Sequence, residues 1–155
     1  MAWVMVAVPF RLLALKFTLY QVHKSLGLLV LLATIARLGW RLYRGRPAWE
    51  PGLARWEIGA ARVGHALLLA LLLVVPLLGV LTADTAALRI PTRFLGLVPV
   101  PALIGADAAV FPLLRDVHRG SAILLVLLAA GHGVMAVRHH CRGRAVLRTM
   151  WRWRL

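Results

Sequence analysis

The sequence has few acidic residues and a single cysteine. Five of its 155 residues are Asp or Glu, against 19 Lys and Arg, so the formal net charge is +14. The single cysteine, Cys141, leaves no disulfide framework to staple a small secreted fold. Such a basic balance suggests nucleic acid in a soluble protein. Here the basic residues cluster between and after apolar runs, as membrane-protein loops do, so no nucleic-acid partner is expected.

Long apolar runs take the place of a soluble core. Hydrophobic residues make up 61% of the chain, against about 45–50% in ordinary soluble domains. Three runs, at about residues 20–42, 63–83 and 116–140, approach the roughly 20 residues that cross a bilayer, while residues 2–8 are too few. The predicted fold is an all-α transmembrane helix bundle with three full spans and the end of a truncated first helix. Residues 1–155 are expected to form one membrane domain.

The distribution of basic residues predicts the orientation of the spans. The loop at residues 43–62 and the tail at residues 138–155 are strongly basic, so both are expected on the cytoplasmic side of a multi-pass membrane protein. Residues 84–115 then form an outer connector, whose apolar piece LGLVPVPALIG is too broken by proline to span and is expected along the interface. The first and third full spans run inward and the second runs outward.

Histidines occur at two depths within these spans. His118 and His132 lie fourteen residues apart on the last span, which is about 21 Å and about four helical turns, so both leave nearly the same face. Ionisable side chains inside a membrane are costly and usually functional. The orientation places His23 beside His118 near the outer face, and His65 beside His132 near the inner face.

Paired imidazoles at one depth are the arrangement that holds the iron of haem b. Covalent haem attachment is excluded because the sequence lacks C-x-x-C-H. Gly27, Gly120 and Gly131 would leave room for a flat macrocycle. His139 and His140, at the end of the last span, are expected to face lipid headgroups or quinone rather than iron.

Three other interpretations of the histidines remain open. Each could simply hydrogen-bond a neighbouring helix. A zinc site is less favoured, because no third or fourth ligand joins either level. A histidine-relay transporter is also less favoured, because the spans contain no midplane acid and no inverted repeat.

Three segments resemble the small bacterial di-haem cytochrome b561 proteins, which are related to the cytochrome b subunits of hydrogenases and formate dehydrogenases. They are YQVHKSLGLLVLLATIARLGWR, GHALLLALLLVVPLLGV and VHRGSAILLVLLAAGHGVMAVRHHCRGRAVLRTM. The last is the most specific, because it joins the fourteen-residue histidine spacing to H-H and L-R-T-M. The resemblance implies a four-helix bundle in the bacterial inner membrane, with two b haems that exchange electrons with quinone.

The resemblance also implies roles for individual histidines. His23 and His118 would hold the outer haem, and His132 would hold the inner haem. The family's partner for His132 is a histidine near the start of the first helix, which this sequence lacks, so most of helix one is expected to be missing. His65 is the internal substitute. We therefore expect about one haem per chain, or a second one held weakly between His65 and His132.

The implied activity is that of a superoxide:quinone oxidoreductase, in which superoxide gives electrons at the periplasmic face and ubiquinone accepts them. The alternative is a haem-bearing anchor subunit that serves a dehydrogenase or hydrogenase partner. Besides lipid, the expected partners are therefore quinone and a redox partner subunit. Basic residues near the outer face (Lys24, Arg89, Arg93, Arg115, Arg119) outnumber the acids there (Asp84, Asp107, Asp116). This excess would attract a small anion or bind lipid phosphates.

Overall fold

The computed structural model describes residues 2–45, 54–88 and 90–141. Within these ranges three helices are long and apolar enough to cross a membrane: α2 (Leu13–Arg44), α3 (Arg55–Thr85) and α4 (Phe111–Cys141). A short helix α1 (Ala2–Ala7) precedes them, and a 3-10 turn at Phe10–Leu12 leads into α2. The predicted all-α bundle, with three spans and an N-terminal helix piece, is confirmed.

The helices begin earlier than the apolar runs suggested. Residues 13–19, which precede the run predicted at residues 20–42, form the first two turns of α2. Residues 55–62, predicted as part of the basic loop, belong to α3. At the start of α3 the backbone N–H of Ala54 donates to the Glu57 carboxylate at 2.9 Å. Hydropathy marks the part of a helix inside the membrane core, whereas backbone hydrogen bonding continues into the interface. Residues 46–53 of the basic loop and residues 142–155 of the tail lie outside the described part of the chain.

The connector between α3 and α4 contains a hairpin that the sequence did not predict. Strands β1 (Thr92–Phe94) and β2 (Val98–Val100) pair antiparallel, with Arg93 opposite Pro99. The turn between them takes positive φ at Leu95 (53°) and Gly96 (77°). Three-residue strands are too short to show an alternating pattern, and proline is tolerated at the edge of a sheet. The second strand, which lies within LGLVPVPALIG, was therefore not predicted.

Helix α3 lies between the other two long helices. It packs against both α2 and α4, whereas no Cα atom of α2 lies within 8 Å of a Cα atom of α4 in the described ranges. Val75 of α3 is buried, while most leucines and valines of the three helices face outward, as side chains in contact with lipid do. Helix α3 is therefore the element through which α2 and α4 are connected.

Candidate functional site

His23 of α2 and His118 of α4 lie close to each other. Their ring centres are 6.2 Å apart and the ring planes are inclined at 77°. Both side chains are partly buried. We call them the outer pair, after the predicted orientation. The structure therefore brings together two histidines that the sequence separates by most of the chain.

The imidazole of His118 is oriented by the backbone of α3. Its Nδ1 lies 3.0 Å from the carbonyl oxygen of Val75. Because a carbonyl oxygen can only accept, Nδ1 carries the proton and Nε2 keeps its lone pair. Metal-bound histidines commonly donate their other ring nitrogen to a carbonyl in this way, which fixes the tautomer and the orientation of the ring.

The separation of the outer pair suits a shared metal ion. A bond from an imidazole nitrogen to a metal is about 2.0–2.1 Å long and the ring centre lies about 1 Å behind that nitrogen, so two imidazoles on opposite sides of one ion have centres about 6 Å apart. The observed 6.2 Å agrees with this span. Two neutral imidazoles from different helices are also the ligand set of a bis-histidine b haem. The residues present at the outer pair therefore fit this group.

The inner pair, His65 of α3 and His132 of α4, is closer. Its ring centres are 5.1 Å apart and the planes are inclined at 70°, which is a direct edge-to-face contact. For a metal ion to bridge these rings they would have to separate by about 1 Å. The pair also belongs to two helices that pack directly on each other. As it stands, this pair fits a ring contact better than a bridged metal.

Cationic side chains lie near the inner pair. Arg37 and Arg41 of α2 are close enough to His65 to interact with it electrostatically. His139 is partly buried at the end of α4, and His140 is exposed there. In the described part of the chain no three or more His, Cys, Asp or Glu side chains are grouped so as to hold a metal ion.

Three polar residues next to His23 attach the hairpin, and the two residues before it, to α2. Gln21 donates to the carbonyl oxygen of Pro91 at 2.7 Å and accepts the N–H of Arg93 at 3.2 Å. Lys24 donates to the carbonyl oxygen of Ile90 at 2.8 Å. The Ser25 hydroxyl accepts the N–H of Leu95 at 3.0 Å and donates to the Arg93 carbonyl at 3.3 Å.

The sequence analysis did not predict these hydrogen bonds, although the spacing of the three residues indicated them. Gln21, Lys24 and Ser25 follow the i, i+3, i+4 spacing that places them on one helix face. Polar residues on one face of an apolar span need partners, and the hairpin supplies them. The segment that covers this end of the bundle is thereby tied to the helix that carries His23.

The basic residues predicted near the outer face differ in their surroundings. Arg115 pairs with Asp116 at 3.0 Å on an exposed surface. The guanidinium of Arg119 lies 5.0 Å from the ring centre of Trp3 in α1, and Arg93 is exposed on β1. Arg89 lies outside the described residues. Of the five predicted residues, Arg93 and Arg119 are exposed and are not ion-paired to an acid in the described structure.

Glycine also contributes to the site, although not where the sequence suggested. A Cβ atom added at Gly27, Gly120 or Gly131 would meet nothing within 4 Å. At Gly79 of α3 it would lie 3.1 Å from Cε1 of His118. Among these four glycines, Gly79 alone lies directly against a histidine ring.

Comparison with known proteins gives two findings. The family model described as "Prokaryotic cytochrome b561" matches residues 2–153. The chain is also 32% identical over 122 residues to "Cytochrome b561 homolog 2" of Escherichia coli (strain K12). That match covers 77% of this chain and 63% of the relative, so the chain spans somewhat less than two thirds of the length of the curated relative it matches.

Proposed function

Because the chain belongs to the prokaryotic cytochrome b561 family, it is a membrane b-type cytochrome in electron transfer, and we propose that His23 and His118 hold its haem. The observation that carries this proposal is the 6.2 Å separation of the two ring centres. It is supported by the origin of the two rings on different helices, α2 and α4, which do not pack directly on each other in the described ranges. A haem held by His23 and His118 would supply one-electron transfer.

The protein's own groups keep His118 ready to act as a ligand. The Val75 carbonyl accepts the Nδ1 proton at 3.0 Å, so the lone pair of Nε2 stays available. His23 approaches from α2, whose outer half is attached to the hairpin on both sides of this residue. The Val75 carbonyl thus holds the His118 ring, and the hairpin contacts hold the part of α2 that carries His23, as preorganisation of a site requires.

We propose that the electron donor is superoxide and the acceptor is ubiquinone. Two superoxide anions each lose one electron and leave as dioxygen, and one ubiquinone gains two electrons and two protons to become ubiquinol. The proposed location is the bacterial inner membrane, with the outer pair towards the periplasm and the C-terminal tail in the cytoplasm. The asymmetric distribution of basic residues supports this orientation.

Arg93 and Arg119 are proposed to attract the anionic donor. Arg119 follows His118 directly, and Arg93 lies on the strand that is attached to α2 beside His23. Exposed cations around a site raise the local concentration of a small anion, and salt screens this effect over about 8–10 Å. The two arginines thus lie where such attraction would favour the outer pair.

Stopped-flow reduction of the haem by superoxide, followed by reoxidation with added ubiquinone, tests this function. The first step should be fast and should slow as ionic strength rises. The Arg93→Gln/Arg119→Gln variant should slow it by roughly 10-fold at low salt. Arg44→Gln, at the opposite end of α2, is the matched control and should leave the rate unchanged.

Two results would contradict the proposed donor and acceptor. One is equal superoxide rates in the double variant and the wild type at every salt concentration. The other is reduction of the haem by a co-purifying protein together with no response to superoxide. The latter would favour the alternative, an anchor cytochrome that serves a dehydrogenase or hydrogenase.

The inner pair is proposed to hold at most a second, weakly bound haem. Its ring centres are 5.1 Å apart. This is about 1 Å less than the separation of two imidazoles that share a metal ion. Arg37 and Arg41 would favour an anionic group at this level. Bound haem should therefore be close to one per chain, with the outer pair filled first.

A further inference from the structure

We propose that Gly79 is a positioning residue for the outer site, because it lets the imidazole of His118 lie against the backbone of α3. The inference rests on the proposed ligand role of His118 and adds a residue from a third helix to the site. Gly79 itself would not touch the iron. It would act by fixing the position and orientation of the ring that does.

The contact between Gly79 and His118 is unusually close. A Cβ atom at position 79 would lie 3.1 Å from Cε1, 3.6 Å from Nδ1 and 3.8 Å from Nε2 of His118. The whole Nδ1–Cε1–Nε2 edge of the ring therefore lies against the glycine. Any larger side chain would push the ring away by a few tenths of an ångström.

The same turn of α3 supplies the hydrogen bond to the ring. Val75 is four residues before Gly79, so its carbonyl and the glycine occupy one face of the helix. The ring can reach the Val75 oxygen at 3.0 Å because the position one turn later carries no side chain. Hydrogen bond and close contact together define a seat for His118, made of Val75 and Gly79.

This seat has a chemical consequence for the site. Moving the ring lengthens the hydrogen bond from Nδ1 to the Val75 carbonyl. That hydrogen bond makes the imidazole a stronger metal ligand. The hydrogen bonding and the orientation of axial ligands are among the means by which a protein tunes a haem. Gly79 therefore influences the haem without contacting it.

The test compares Gly79→Ala with Gly59→Ala in the full-length chain purified with haem. Both changes put alanine for glycine in α3, but a Cβ at Gly59 meets nothing within 4 Å. Gly79→Ala should weaken haem retention by roughly 10- to 100-fold, the usual effect of losing a partner behind a metal ligand. It should also shift the g values of the low-spin ferric EPR signal, whereas Gly59→Ala should do neither.

The variant His118→Ala separates failure of this inference from failure of the proposed function. If His118→Ala abolishes the low-spin signal while Gly79→Ala behaves like Gly59→Ala, the seat is wrong and the ligand assignment stands. If His118→Ala leaves the signal unchanged, the ligand assignment fails and the seat fails with it.

A double variant covers the case in which Gly79→Ala does not accumulate in the membrane. Without the imidazole, an alanine at position 79 has no ring to displace, so adding His118→Ala should restore accumulation to the level of His118→Ala alone. Continued loss in the double variant would mean that Gly79 serves helix packing instead, and would overturn the inference.

Discussion

The four histidines within the three long helices form two pairs in the structure. Each pair joins histidines that lie at one level of the three helices, which run in alternating directions. Each imidazole would be costly in lipid by itself, and each lies against another imidazole, at 6.2 Å in the outer pair and 5.1 Å in the inner pair. The alternating direction of the helices was enough to predict which histidines lie together. The contact between His118 and Gly79 could not be predicted, because it depends on how α3 and α4 rotate about their axes, which hydropathy does not reveal.

Replacing His65 tests whether the inner pair holds haem. We expect His65→Ala to keep the tightly bound haem and to remove any second, weakly held one, because its partner His132 then faces no imidazole. The measurement is the ratio of haem to protein, determined by the pyridine haemochrome assay during titration with haem. His140→Ala, at the exposed end of α4, is the control. Two tight haems that survive His65→Ala would contradict this expectation.

Among the secondary-structure elements, the hairpin is the one that could not be predicted from the sequence. Strands of three residues carry no periodic signal, and prolines at positions 99 and 101 argued against regular structure. The helices were easier to predict, because an apolar run of membrane length has few alternatives to a helix. Their ends were predicted less well, since turns near the membrane surface can carry charged residues and still be helical, as residues 55–62 show.

Attachment of the hairpin to α2 should depend strongly on Ser25. The residue is 5% exposed, and its hydroxyl accepts the N–H of Leu95 at 3.0 Å. Ser25→Ala removes that acceptor and leaves a partly buried N–H without its partner, which costs about 1–3 kcal/mol. Thermal unfolding in detergent should show the loss as a lower midpoint.

Thr18→Ala is the matched control for this change. The Thr18 hydroxyl is exposed and bonds only to the Ala14 carbonyl of its own helix at 2.9 Å. Its loss should alter stability by no more than about 0.5 kcal/mol. Equal midpoints for Ser25→Ala and Thr18→Ala would show that the hairpin is held by other contacts.

On the scale of the whole molecule, the position of α3 gives the fold its functional shape. Helix α3 touches both neighbours and keeps α2 and α4 apart, so residues from three helices meet at the outer pair. Membrane class, number of spans and family could be predicted from the sequence. The central place of α3 could not, because three helices of similar apolar character can be arranged in more than one order. We propose that residues 1–155 act as one membrane domain around this site.

Low-temperature EPR of the ferric protein tests bis-imidazole ligation by His23 and His118 most directly. The purified wild-type chain should give a low-spin signal, and His23→Ala and His118→Ala should each abolish it, because either change leaves the iron with one imidazole. His140→Ala should retain the wild-type signal. A low-spin signal that survives His118→Ala unchanged would contradict the central claim.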